Sequence, residues 1–385
     1  MLQDTFKLKK IRVAHIHLDK KFFRLGDAFF SSEFENQLFF FGSTNEPMSY
    51  AGSEIKIFEK NQNSIASLIN FCADFDLVVF YSLDNFLASV VLQLPKNITI
   101  AWRFFGFELY LKDKEKYYSE STRKVLKEEW NSQKNLFKSV KRFLKTILKK
   151  DTKTVFLNAI SRCNIFFGLY EEEYALLKKD FPNLPFFIPV SLIMDYLEDK
   201  VLPKINKENY FIVGHNRLIW NNHLDILEVI KRTKNSSEFK TCLFLNYGQK
   251  GYYFNKLVEF AQSIPDVVLI EEFMTLPEFE AFYVKCAALV INSKRQLAGN
   301  NIRKAFEHGT KVYLDPDNSF YDYFKNNNFI IYTIQDFEKD YEQGNLKLDQ
   351  ASAQHNYNCL VALTKLNSSK RFRANVMHFL NEYSQ

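Results

Sequence analysis

The sequence predicts an α/β protein built from two doubly wound parallel-sheet domains, and three observations lead there. The chain has 385 residues, 46% of them hydrophobic, which is too long for one core and suits two of about 200 residues each. Short, near-continuous apolar runs alternate with stretches of helical periodicity, as strands buried on both faces of a parallel sheet require. Several of these runs end in polar turns rich in Gly and Asn that lead into a helix, the place where such sheets bind ligands.

In the first half, Lys10–Leu18 reads as the first buried strand. Gln37–Gly42, Glu54–Phe58, Leu77–Tyr81 and Ile98–Trp102 follow as strands, with helices near Ser64–Ala73 and Asn85–Leu92. Asp113 to Lys150 is helical in character, and Ile160–Phe167, a helix from Glu171 to Lys179 and Phe186–Pro189 complete the first sheet. Pro189 and the polar run Glu198–Asn209 mark the boundary, giving a first domain over 1–200.

The second domain, 201–350, opens on Tyr210–Asn216, a strand ending at Gly214. A helix starts near Asn222, with Asn221 or Asn222 as its cap. Lys240–Leu245 and Val267–Ile270 are strands around a helix from Tyr252 to Ser263, and Thr275-Leu-Pro-Glu278 opens another helix with Pro in its first turn. Ala287–Ile291, Lys311–Leu314 and Phe329–Thr333 are the remaining strands. The tail, 351–385, reads as two helices expected to return to the first domain.

Composition narrows the function. Five cysteines, Cys72, Cys163, Cys242, Cys286 and Cys359, are odd in number, widely spaced and mostly within apolar runs, against both a disulfide framework and a zinc site. No charged-then-apolar leader opens the chain and no run approaches the ~20 apolar residues that span a bilayer. A reducing cytoplasmic location is the expectation. The forty Phe are mostly packing. The net charge of +6 is concentrated: eight Lys or Arg stand between Lys134 and Lys153 against the single acid Asp151. There Val140, Phe143, Leu144, Ile147 and Leu148 share a helical face, and Lys138, Lys141, Arg142, Lys145 and Lys149 interleave with them. Such a helix either lies on an anionic membrane surface or packs its apolar face on the sheet with solvated lysines. No stacking platform accompanies it, so nucleic acid is not the expected partner.

The chemistry-bearing stretch runs from Asn292 to Leu314. A strand, a polar turn and a helix opening at Gly299, Asn300 and Asn301 put backbone N–H groups and a positive dipole end where an anion can sit. Arg295, beside Gln296, adds a planar charged fork suited to phosphate oxygens. The turn from Gly214 to Asn222 belongs to the same sheet, as a nucleotide-binding half requires. The plain alternative is an ordinary crossover with a solvated turn. After the fifth strand, Glu108 sits among Gly106, aromatics and Tyr110, where apolar neighbours raise a carboxyl's pKa toward a general base's range; otherwise it is a turn carboxylate. His15 and His17 end the first strand, so His17 competes with Glu108 as base, or is a core histidine. Asp74-Phe-Asp76 and Asp315-Pro-Asp317 match a D-x-D metal pattern but read as turns, and no metal or cofactor is expected. There is no G-x-x-x-x-G-K-[ST], G-x-G-x-x-G after a first strand, or G-x-S-x-G, against kinase, dehydrogenase and α/β-hydrolase chemistry.

Several stretches together resemble one family. Gly214–His223, G-H-N-R-L-I-W-N-N-H, resembles the G-N-S-x-x-x-x-N-N-H loop of the bacterial 4-acetamido-4,6-dideoxygalactose transferases of enterobacterial common antigen synthesis. Asn246-Tyr247-Gly248 is similar to their S-Y-G, and Glu272–Phe279 to E-F-M-P-x-x-E-Y. Arg295-Gln296 with Asn301-Ile302, and Gly309–Leu314, resemble R-Q-x-A-L-G-N-I and G-K-K-V-Y-L. Trp102–Tyr110 and Ile160–Leu177 resemble W-G-x-D-L-Y and I-S-R-x-D-Y-I-x-x-x-x-E-E-E-Y-x-L-L. The resemblance implies a GT-B architecture, two Rossmann-like domains facing a cleft with C-terminal helices crossing back. It also implies metal-independent transfer of a sugar, dTDP-linked and acetamido-deoxy, to a polyprenyl-diphosphate-linked saccharide at the inner face of the cell membrane. The donor residues expected on these matches are Gly214, Asn216, Asn221, Asn222, Tyr247, Arg295, Gln296, Gly299, Asn300 and Asn301; Glu108, which stands where the family has an Asp, is the expected base, with His17 its competitor. The chain departs from the pattern at His215-Asn216 and at Asn300, where the family has Asn-Ser and Gly. Those departures motivate a second reading, a catalytically silent GT-B protein that binds a nucleotide or glycan as a scaffold.

Overall fold

The computed structural model describes residues 10–43, 48–132, 153–190, 197–204, 206–233, 238–366 and 368–383. They form two compact units, Met1–Glu108 with Lys141–Ser191 and Asn367–Gln385, and Leu109–Val140 with Leu192–Leu366. The division differs from a single boundary near residue 200. The segment after Glu108, including the Glu120–Ser132 helix, belongs to the second unit, and of the two tail helices only Ser369–Tyr383 belongs to the first. The five cations Lys138, Lys141, Arg142, Lys145 and Lys149 lie outside the described residues.

The first unit holds β1 (Ile11–His17), β2 (Phe34–Phe41), β3 (Ser49–Tyr50), β4 (Ser53–Phe58), β5 (Leu77–Tyr81), β6 (Thr99–Arg103), β7 (Ile165–Gly168) and β8 (Phe186–Pro189). Among the described residues they form one sheet of order β3-β4-β2-β1-β5-β6-β7-β8. All neighbours are parallel except the β3–β4 hairpin. Every residue of β5 and β6 is buried, as the unbroken apolar runs demand. The core on one face joins Val13, Val79, Ala101 and Ile165 to Phe372, Val376 and Phe379 of the last helix. The strand expected over Ile160–Phe167 begins only at Ile165: residues 153–162 are helical. Asn164 makes the break, its side chain accepting from the Ile100 N–H at 2.9 Å.

The second unit holds β9 (Tyr210–Val213), β10 (Lys240–Phe244), β11 (Val267–Ile270), β12 (Ala288–Ile291), β13 (Lys311–Leu314) and β14 (Tyr332–Thr333). They are all parallel, in the order β11-β10-β9-β12-β13-β14. In sequence order this is 3-2-1-4-5-6, the doubly wound dinucleotide arrangement, whose direction of winding reverses between β9 and β12. The last strand is shorter than the apolar run Phe329–Thr333 suggests: pairing covers only Tyr332 and Thr333, and Phe329 and Ile331 are buried ahead of it. The helix opened by Thr275 has Pro277 in its first turn, as the sequence indicates, and Glu278 Oε2 accepts the Thr275 N–H at 2.7 Å. Among the described residues no helix is long and apolar enough to cross a membrane.

Candidate functional site

The loops that the sequence singles out leave β9 and β12 on either side of the switch point. Gly214 is required for two reasons. Its φ is +69°, and a Cβ there would lie 2.4 Å from His223 Nε2. Beyond it, three side chains close a ring of hydrogen bonds: His215 Nδ1 to Asn221 Oδ1 at 2.8 Å, Asn221 Nδ2 to Asn216 Oδ1 at 2.9 Å, and Asn216 Nδ2 to His215 Nε2 at 2.6 Å. The Leu218 N–H donates to Asn216 Oδ1 at 2.8 Å, and Asn221 Nδ2 also donates to Asn216 O at 3.2 Å and to Leu218 O at 3.0 Å, so backbone groups outside the ring set the sense of both amides. In that sense His215 is the neutral tautomer with its proton on Nδ1. Burial first, with Arg295 nearby and the Asn221 bond opposing, lowers its pKa to about 4. His223, behind Gly214, is lowered to about 3 by burial and by His215.

Asn222 occupies the N-cap of the His223–Arg232 helix in a left-handed conformation, φ +48°, but its side chain makes no capping bond. Its Oδ1 accepts the Ser119 N–H at 2.9 Å, and its Nδ2 donates to Tyr117 O at 3.1 Å and to Asn292 O at 3.0 Å. Asn292 Nδ2 answers with a 3.1 Å bond to Asn222 O. The two loops are thereby tied to each other, and both to the segment before the Glu120–Ser132 helix. Asn221 and Asn222 are buried with their amides committed to the protein, which makes them the frame of the loop.

Arg295 lies in the β12 loop, 7% exposed. Its guanidinium carbon stands 4.8 Å from the Trp220 ring centre and 5.4 Å from that of Tyr110. With aromatic faces against it, the in-plane N–H edge is the part suited to an oxyanion. His215 stays neutral and so adds no positive charge beside Arg295. Tyr247, in the loop after β10, is 46% exposed and sets its ring edge-on to His215 at 5.9 Å. Gln296 and Gly299 are half-buried and Asn300 exposed at the start of the Gly299–Glu307 helix. The left-handed residue ahead of that helix is Ala298, φ +64°. Asn301 is turned inward, donating to Tyr283 Oη at 2.8 Å.

Trp220, Tyr110, Ser119 and Asn292 are the members that sequence reasoning did not select. Trp220 falls inside the Gly214–His223 stretch, so it was open to selection. Tyr110 and Ser119 are more than a hundred residues from their partners in the chain; Tyr110 is marked in the sequence only as a neighbour of Glu108, and Ser119 carries no signal of its own.

In the first unit, Glu108 and His17 come from the carboxyl edge of the other sheet. Glu108, in the short Phe107–Tyr110 helix, is buried; its Oε2 accepts the Phe105 N–H at 3.2 Å. Burial pushes its pKa up to about 7, against the pull of the backbone at Glu108 and Phe105 and of the Trp102 side chain. His17 ends β1, fully buried, stacked on Tyr81 at 4.0 Å, with neither ring nitrogen hydrogen-bonded. Burial, and His15 after it, keeps His17 neutral. His15 is held by Tyr81 Oη at 3.0 Å and Asn36 Oδ1 at 2.9 Å, a core role. Of the D-x-D aspartates, Asp76 accepts the N–H of Arg12 on β1 at 2.8 Å, and Asp315 accepts the Asp317 N–H at 2.8 Å within its own turn. Among the described residues no three His, Cys, Asp or Glu side chains gather as a metal site.

No family model matches the chain, and no curated protein matches it. Solved structures do. The sucrose-phosphate synthase of Thermosynechococcus elongatus superposes with a TM-score of 0.61 at 12% identity, covering 96% of this chain and 100% of that one. HepE of Anabaena, solved with UDP and glucose, gives 0.60 at 9% identity, with 96% and 99% covered. An α,α-trehalose-phosphate synthase of Burkholderia xenovorans, solved with glucose-6-phosphate, gives 0.57 at 6% identity, with 97% and 100% covered. At these identities the likeness shows the fold: the chain has the GT-B fold, two Rossmann-like doubly wound units.

Proposed function

We propose that the protein is a glycosyltransferase that takes its sugar from a nucleotide donor. The observation that carries this reading is the switch point of the second sheet, where Arg295 is set between Trp220 and Tyr110 beside a neutral His215. Nucleotide diphosphates bind at such a point in doubly wound sheets, on strand-end loops and a helix N-terminus. Arg295 would stabilise charge developing on the leaving diphosphate, and the Gly299–Glu307 helix terminus would assist. Tyr247, Gln296, Gly299 and Asn300 would contact the donor, while Gly214, Asn216, Asn221, Asn222 and Asn301 hold the loops in place.

Glu108 would take the proton from the acceptor hydroxyl, since a carboxyl titrating near 7 is half ionised at neutral pH. His17 is the second candidate for that role. The finer assignment rests on the sequence resemblance: a dTDP-linked acetamido-deoxy sugar, a polyprenyl-diphosphate-linked saccharide acceptor, and a site of action at the cytoplasmic face of the cell membrane in surface polysaccharide synthesis. The reaction would need no metal, with Arg295 and the helix terminus neutralising the diphosphate.

A thermal-shift screen of nucleoside diphosphates and nucleotide sugars tests the donor class, since a ligand of the native state raises the melting temperature by mass action. The expected result is a shift with one base of the panel, lost in Arg295→Ala. A folded protein that no nucleotide stabilises would contradict it. Binding without transfer or hydrolysis across a full donor panel would support the scaffold reading instead.

A further inference from the structure

Arg103 ends β6, 8% exposed, and the mechanism above gives it no task. Its guanidinium Nη1 donates to Phe104 O at 3.2 Å and to Phe167 O at 3.1 Å. The Phe105 ring lies 5.5 Å from the guanidinium carbon. The carbonyl of Phe104 and the N–H of Phe105 belong to one peptide plane, and that N–H donates to Glu108 Oε2 at 3.2 Å. A cation, a single peptide group and a carboxyl are therefore joined in series. The cation polarises the peptide toward a stronger donor, and the donor favours the ionised carboxylate. Gly106, φ +97°, makes the tight return that brings Glu108 back onto the Phe105 N–H.

We propose that Arg103 is a positioning residue for Glu108, fixing the carboxyl through the Phe104–Phe105 peptide. The proposal rests on the assignment of Glu108 as base for its catalytic meaning, but the coupling itself does not. The other titratable groups around Arg103 are Tyr81 at the end of β5 and Glu173 near the start of the Glu171–Asp180 helix, both buried, and both favour its charged form. Arg103 stays protonated at neutral pH although burial lowers it to about 10.

The test is an infrared titration of the carboxyl band, wild type minus Glu108→Gln, repeated in an Arg103→Met background. Loss of the cation is expected to raise the Glu108 protonation midpoint by about one pH unit. Arg103→Lys keeps a charge on a shorter side chain whose ammonium would have to reach the two carbonyls that Nη1 now serves, so a smaller rise is expected. An unchanged midpoint in folded Arg103→Met overturns the proposal. If that variant does not fold, an unchanged midpoint in Arg103→Gln, which also removes the charge, overturns it. The pH profile of transfer separates the two claims. A rate profile that follows the moved midpoint supports both, whereas a moved midpoint with an unmoved profile supports the coupling and removes Glu108 as the base.

Discussion

Asn222 and Asn292 exchange amide-to-carbonyl hydrogen bonds of 3.0 and 3.1 Å across the switch point between β9 and β12. The exchange fixes the two loops as one surface, and Asn222 extends it to Ser119 and Tyr117. Asn222→Ala strands buried partners on three backbone groups and is expected to cost about 2–4 kcal/mol. Asn222→Gly suits the left-handed φ yet loses the same bonds, so it should remain destabilised. Asn292→Ala, which removes the one bond to Asn222 O, is expected to cost less. The double variant should cost less than the sum of the two, because either loss already loosens the loop-to-loop contact in which the other bond is made. Urea unfolding of the four proteins checks this; strictly additive costs would mean that the loops are not coupled.

Gly214 admits His223 where a Cβ would stand 2.4 Å from the imidazole. Gly214→Ala should destabilise by about 3 kcal/mol through the left-handed backbone and the clash together. Adding His223→Ala relieves the clash but not the backbone strain, so the double variant should cost less than the two single costs summed. A double variant at or beyond that sum would show that packing against His223 is not what constrains position 214.

His215 and His223 are buried and neutral, their pKa values lowered to about 4 and about 3 from an ordinary 6.5. The unfolded chain gains protons first on acidification. The stability these groups contribute is therefore fully present above pH 6.5 and is lost as pH falls toward their folded values. From pH 7.5 to 5 the loss should be about 2 kcal/mol for each. A His215→Gln, His223→Gln protein should show a flatter stability profile over that range by urea unfolding. An equally steep profile would show that these two histidines do not carry the acid sensitivity.

Glu108 has the opposite sign. Its pKa is raised to about 7 from an ordinary 4.5. The folded state holds the proton more tightly, so its contribution is fully present below pH 4.5 and is lost as pH rises through 7. The difference in stability between wild type and Glu108→Gln should shift by about 3 kcal/mol against wild type between pH 4 and pH 8. A pH-independent difference would place the carboxyl in water rather than in the buried turn.

Much of this organisation was legible in the residues. Unbroken apolar runs such as Leu77–Tyr81 announced strands buried on both faces, and the turns at Gly214 and Asn292 announced the edge where ligands gather. The local signals failed where partners are remote. Nothing near Asn222 says that its amide serves Tyr117 and Ser119 rather than capping its own helix. Nothing near Arg295 says that Tyr110 lies against it, because that contact depends on the segment after β6 joining the second unit. The Asn301 side chain, which the sequence pattern assigns to the donor, is drawn inward by Tyr283, a residue on a different helix.

The account stands or falls on Arg295. Calorimetric titration of the nucleotide sugar identified by the screen, against wild type, Arg295→Lys and Arg295→Ala, tests it most directly. Loss of a planar fork on the diphosphate should weaken Arg295→Ala by about tenfold to a hundredfold, with Arg295→Lys between the two, and folding intact by circular dichroism. Equal affinity in all three proteins would mean that the switch point of the second sheet is not where the diphosphate binds.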